Sequence, residues 1–105
     1  MDAGISIRTL IVGSDTHVVV LAGALDEAAV PAVAAALQRG DGHRTIVDLL
    51  DVTNIDEPGA SLLERPNLVV VADQPVLRAL TAASGEHPLR VYERLTDAIA
   101  DAVVA

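Results

Sequence analysis

The sequence predicts a single α/β domain built on a mixed sheet. Three observations carry that expectation. Apolar runs such as His17-Val18-Val19-Val20-Leu21-Ala22, Ile46-Val47 with Leu49-Leu50, and Leu68-Val69-Val70-Val71-Ala72 suit strands covered on both faces. Helix-spaced segments lie between the later runs, which implies parallel strands joined by right-handed crossovers. The chain opens with two strand-like runs in succession, and a hairpin there makes the sheet mixed. The expected architecture is four or five strands, an N-terminal hairpin followed by parallel strands, with about four helices mainly on one face. The 105 residues make one ordinary domain spanning 1–105, long enough to bury a core without a metal or disulfide.

Each element has its own signal. Ile5 to Val12 alternates in part and reads as a strand with one wetter face. Gly13-Ser14-Asp15-Thr16 is a turn, and His17 to Ala22 is the second strand. Gly23-Ala24-Leu25-Asp26 leads into a helix capped by Asp26, with Val30, Val33, Ala34 and Leu37 on one face. Pro31 is tolerated near the first turn, and Gly40 and Gly42 end the helix. Arg44 to Leu50 is the third strand. Asp51 belongs to a turn, and Asp56 caps a short helix with Pro58 in its first turn. That helix carries Leu62 and Leu63 and stops at Pro66. Leu68 to Ala72 is the fourth strand. Pro75 opens a helix with Val76, Leu77 and Leu80 on one side and Gly85 as its stop. Leu89 to Tyr92 is a short fifth strand. Thr96 caps the last helix, which buries Ile99, Ala102 and Val103, with Leu95 just ahead of the cap.

Composition narrows the chemistry. Hydrophobic residues make up 51%, yet Phe and Trp are absent and Tyr92 is the single Tyr, so Val, Leu, Ile and Ala must build the core. No apolar run approaches the ~20 residues of a membrane span, and no signal peptide opens the chain. Cys is absent, which removes disulfides and thiolate chemistry and is compatible with a cytoplasmic address. The net charge is −8, and all seven basic residues are scattered Arg. Nucleic-acid binding needs clustered cations and is disfavoured. An acidic surface serves solubility and suits a partner with a basic patch. With no Lys, a P-loop and Schiff-base chemistry are both excluded.

The remaining polar residues give weak catalytic signals. Asp48, Asp51 and Asp56 follow the third strand, where open α/β sheets bind ligands, and could in principle hold Mg2+. Turn and capping roles explain Asp51 and Asp56 without a metal. The spacing also lacks the Asp-x-Asp of haloacid-dehalogenase phosphatases, and the acidic pair and late Lys of response-regulator receivers are missing. His17, His43 and His87 are far apart and read as surface residues at strand or loop edges. No Ser lies in a nucleophile elbow. The chain is expected to be non-enzymatic, with no cofactor and no metal.

Three segments carry a family resemblance. Thr45 to Gly59 runs from a hydrophobic strand through acidic residues into Asp56-Glu57-Pro58-Gly59 at a helix start. It resembles the signature loop of STAS domains, the anti-sigma-factor antagonists, whose motif is Asp-Ser-Ser-Gly. Gly23-Ala24-Leu25-Asp26 resembles the family's Gly-x-Leu-Asp turn, and Leu95 to Ile99 its closing helix. The order β-β-α-β-α-β-α-β-α is similar to the STAS fold over essentially the whole chain.

The resemblance implies a protein-interaction module whose partner is an anti-sigma factor of the kinase-like ATPase type, or another STAS protein. The implied contact residues are Asp26, Asp56, Glu57, Pro58, Gly59 and Ser61. In the family the second Ser of the motif accepts phosphate. Here Pro58 takes that place, and Pro has no hydroxyl. Glu57 stands beside it at a helix start, where negative charge is favoured by roughly 0.3–1 kcal/mol. Glu57 is either a permanent mimic of the phosphorylated state or a good first-turn residue in a loop that lost its kinase. Ser61 is the nearest hydroxyl and a poor substitute. Only Gly59 to Arg65 is available for the following helix, about two turns against the family's three to four. The alternative is a small-molecule or nucleotide-binding domain using the crevice of the 51–59 loop.

Overall fold

The computed structural model describes residues 5–13, 16–39, 44–63, 68–84 and 90–104. Five strands form one sheet in the order β1-β2-β3-β4-β5, with β1 at Ile5–Val12, β2 at Thr16–Leu25, β3 at Arg44–Ile55, β4 at Leu68–Val71 and β5 at Arg90–Tyr92. β1 and β2 pair antiparallel and every later pair is parallel, so the sheet is mixed as expected. The helices are α1 at Val30–Gln38, α2 at Glu57–Ser61, α3 at Gln74–Ser84 and α4 at Leu95–Val104, with a 3-10 turn at Glu27–Ala29 before α1. Among the described residues no helix is long and apolar enough to cross a membrane.

The sheet separates two cores. The larger joins Val19, Leu21, Val47, Leu49 and Val70 to Val33 and Leu37 of α1, Ala60 of α2 and Val76 and Leu80 of α3. The smaller joins Val18, Ile46 and Val71 to Ala98 of α4. Three helices therefore cover one face and α4 the other. Both faces of the central strands are buried, which is why those strands read as continuous apolar runs rather than as alternation.

β3 departs most from expectation. It continues through Asp51 to Ile55, so Asp51 is an exposed strand residue paired with Ala22 and not part of a turn. The register explains the extra length. Val20 faces Asp48 and Ala22 faces Asp51, so β3 spends three steps where β2 spends two; a second slip follows between Gly23 and Ala24. An extra residue reverses the alternation, which lets both Leu49 and Val52 enter the larger core. At the first slip the Asp48 carboxylate accepts the Leu50 N–H at 2.9 Å. That bond gives a bulge amide its partner and accounts for a carboxylate only 8% exposed. At the second slip Gly23 has φ 105°, a conformation that strains a residue with a side chain.

Other boundaries also move. β2 extends to Leu25, and Asp26 caps the 3-10 turn that leads into α1. α2 is five residues long, shorter than the span to Arg65, because at Leu62 and Leu63 the bonding tightens to the 3-10 pattern, their N–H groups donating to the Gly59 and Ala60 carbonyls. α4 begins at Leu95, and the Arg94 carbonyl accepts the Ala98 N–H, so Thr96 lies inside the first turn and is not the cap. Among the described side chains of that helix Ala98 is buried and Ile99 is half-buried. His17 is 8% exposed inside β2, not a surface residue, since β1 and β3 flank it through Ile11 and Thr45. Gly40, Gly42, His43, Pro66, Gly85, His87 and Leu89 lie outside the described residues, as do the side chains of Ala102 and Val103.

Candidate functional site

Two strand-to-helix junctions meet at the carboxyl end of the central strands. Each has the same local sequence, an apolar residue followed by Asp-Glu: Leu25-Asp26-Glu27 after β2 and Ile55-Asp56-Glu57 after β3. β2 and β3 are parallel neighbours in register to their last residues, Leu25 opposite Ile55. The pairing delivers Asp26 and Asp56 side by side.

Both Asp residues leave the strand with extended backbone and turn their carboxylates onto the N–H groups that a helix start leaves free. Asp26 Oδ1 accepts the Ala29 N–H at 3.2 Å. Asp56 Oδ1 accepts the Gly59 N–H at 2.9 Å. Asp56 does more, because its Oδ2 accepts the Glu27 N–H, also at 2.9 Å, from the other junction. The Asp56 N–H donates to the Leu25 carbonyl at 3.3 Å. The two turns are thus joined by a backbone bond and a side-chain bond.

Gly59 makes the approach possible. It is buried against the end of β2, and a Cβ placed on it would stand 2.1 Å from the Leu25 carbonyl oxygen. No side chain fits there without moving backbone. Glu57, Pro58 and Ser61 are exposed around it. Pro58 stands in the first turn of α2, where its missing N–H costs nothing. The Ser61 hydroxyl donates to the Glu57 carbonyl at 3.0 Å, a bond within its own helix.

The six residues singled out from sequence therefore gather at the paired junctions, with Gly59 itself buried. The acidic trio does not act as a unit. Asp48 is turned to its own bulge, Asp51 is exposed on the strand, and both Asp56 oxygens are engaged by N–H donors. Among the described residues no group of three His, Cys, Asp or Glu is placed to hold a metal.

Two features escaped sequence reasoning. Asp73 caps α3 by accepting the Val76 N–H at 3.1 Å. Its signal was available, since an Asp two residues before Pro75 is a helix-start pattern. Beside the loop, a groove of about 80 Å3 lies between the end of β3 and the first turns of α3, lined by Val52, Ile55, Pro75, Val76 and Ala79 with Thr53 and Asn54. No local pattern announces it, because its walls are far apart in sequence.

No protein-family profile matches the chain, and no curated protein matches it in sequence. Solved structures do match its fold. An anti-sigma factor antagonist from Mycobacterium paratuberculosis superposes with a TM-score of 0.77 at 22% identity over 94% of each chain. The anti-sigma factor antagonist SpoIIAA in its unphosphorylated form gives 0.68 at 18% identity, over 95% of this chain and 99% of its own. An uncharacterised protein with a SpoIIAA-like fold from Shewanella loihica gives 0.59 at 14% identity, over 97% and 98%. With its mixed five-stranded sheet and its paired junctions at the carboxyl end, the chain has the STAS fold of the anti-sigma factor antagonists.

Proposed function

We propose that this chain is a non-catalytic interaction module that works as anti-sigma factor antagonists do, in the cytoplasm, by binding another protein. Its partner is an anti-sigma factor of the kinase-like ATPase type, or another STAS protein. The contact surface is Asp26, Asp56, Glu57, Pro58, Gly59 and Ser61. The observation that carries the reading is the bond from the Glu27 N–H to Asp56 Oδ2, which ties two separate turns into one surface. A surface already ordered before it meets a partner loses less freedom on binding. The fold shared with two anti-sigma factor antagonists supports this partner class.

In this reading the module has no phosphate switch at its loop. Pro58 has no hydroxyl, and the nearest one, on Ser61, is engaged with the Glu57 carbonyl. Incubation with ATP and a kinase-like anti-sigma factor should leave the loop unmodified by peptide mass spectrometry; phosphate on Ser61 or Thr53 would refute the unswitched reading. Titration calorimetry with the same partner tests the surface. Asp26→Ser keeps a cap and removes only the charge, whereas Asp26→Arg reverses it. Each should weaken binding, the reversal by about tenfold or more, equivalent to 1.4 kcal/mol. Affinity indifferent to both changes would place the contact elsewhere. Glu57→Gln decides between its two roles: a charge mimic changes partner affinity, and a first-turn residue does not.

A further inference from the structure

The groove beside the loop follows from the way the sheet ends. β3 pairs with β4 only as far as Asp48 opposite Val71, then runs seven residues further, Leu49 to Ile55, with β2 as its strand neighbour. β4 meanwhile stops at Val71 and the chain turns through Asp73 into α3. The two parallel strands fork, and the groove occupies the fork. Val52 and Val76 are its buried members, Ile55 and Ala79 are half-buried, and Pro75, Thr53 and Asn54 are exposed.

Size and charge select an occupant. The volume of about 80 Å3 is well below the roughly 300–1,000 Å3 of small-molecule and cofactor sites. It suits one branched aliphatic side chain. No charged residue lines it, yet exposed carboxylates adjoin it in sequence: Glu57 after Ile55 and Asp73 before Pro75. Arg78 is the one cation adjoining it in that sense. A second copy of this acidic chain, with a net charge of −8, would bring carboxylates against carboxylates.

Resting on the interaction reading above, we propose that the groove is an anchor pocket for the protein partner: it takes one Leu, Ile or Val side chain from a partner segment whose flanking residues are Arg or Lys. The apolar side chain fills the fork between β3 and α3. The flanking cations meet Asp73 and Glu57. Buried anchors of this kind dominate binding energy, while rim charges mainly set association rate and salt dependence.

The test is selection from a displayed library of random short peptides against the full chain, followed by affinity measurement with the synthetic consensus peptide. Enriched peptides should carry an aliphatic residue next to Arg or Lys, and their affinity should fall as salt rises. Ala79→Leu fills the groove from a helix position and should weaken binding at least about tenfold. Thr53→Trp, on the exposed lip, blocks the same entrance if Ala79→Leu unfolds, with circular dichroism as the check. Asp73→Asn retains a cap and removes a rim charge, and should weaken binding a few-fold with most of the loss in association rate. No enrichment, a consensus without the apolar-basic pair, or affinity unchanged in both blocked variants overturns the proposal. The wider surface is separated by Asp26→Arg. Loss of peptide binding in Ala79→Leu alone upholds the groove and counts against the loop surface. Loss in Asp26→Arg alone does the reverse.

Discussion

The two junctions that form the site begin with the same three-residue pattern and end with different duties. Leu25-Asp26-Glu27 makes a 3-10 turn whose Asp satisfies one side-chain bond, to the Ala29 N–H. Ile55-Asp56-Glu57 makes a short α-helix whose Asp satisfies two, one of them to Glu27 of the first junction. The difference originates four residues downstream of Ile55. Gly59 lets α2 come down on the Leu25 carbonyl, and Asp56 is carried into reach of the neighbouring turn. The first junction has Ala29 at the matching position. Capping is thus a local property, whereas joining two caps is a property of the packing between them.

The largest test of this comparison removes the close approach. Gly59→Ala adds a helix-favouring residue, worth up to about 1 kcal/mol in an open helix. Here the added carbon would meet a backbone oxygen at 2.1 Å, and backbone yields far less readily than a side chain. We expect a net loss of about 2–3 kcal/mol, read as a lower denaturant midpoint at unchanged slope. A neutral or stabilising Gly59→Ala would mean that the junctions are not clamped together.

Asp56 comes next. Asp56→Ala loses both bonds and should cost about 2 kcal/mol. Asp56→Asn is more informative, since Asn is normally as good a cap as Asp. An amide has one acceptor oxygen, and two N–H donors converge on this side chain, so one of them loses its partner. The expected loss is about 1 kcal/mol. The smallest effect belongs to Asp26→Asn, which faces one donor and should fall within about 0.5 kcal/mol of the parent. Equal losses at Asp56→Asn and Asp26→Asn would show that the bond between the junctions carries no weight. Coupling can be measured separately: Asp56→Ala combined with Gly59→Ala should lose less than the sum of the two, because both changes open the same contact.

Much of this protein was legible in its sequence. The continuous apolar strands, the helix-spaced segments and the opening pair of strands gave the mixed sheet, because covering a strand on both faces leaves a composition that few other structures tolerate. Asp26 and Asp56 were legible as caps for the same kind of reason. A cap is decided by a side chain and the N–H groups two and three residues ahead of it.

What the sequence left open depends on distant partners. The stretch from Asp51 to Ile55 reads locally as a turn, since Asp and Asn are depleted in strands. It is strand because β2 runs alongside it, and strand preference yields to such pairing. The bulge that makes this possible draws in Asp48, and no pattern of neighbours predicts a carboxylate buried against its own strand. His17 is buried for the same reason, by strands on both sides of it. The union of the two junctions and the fork between β3 and α3 were decided by tertiary structure alone. The junctions meet across 29 positions, from Glu27 to Asp56, and the walls of the fork come from separate elements, so both are closed only by packing and not by local preference.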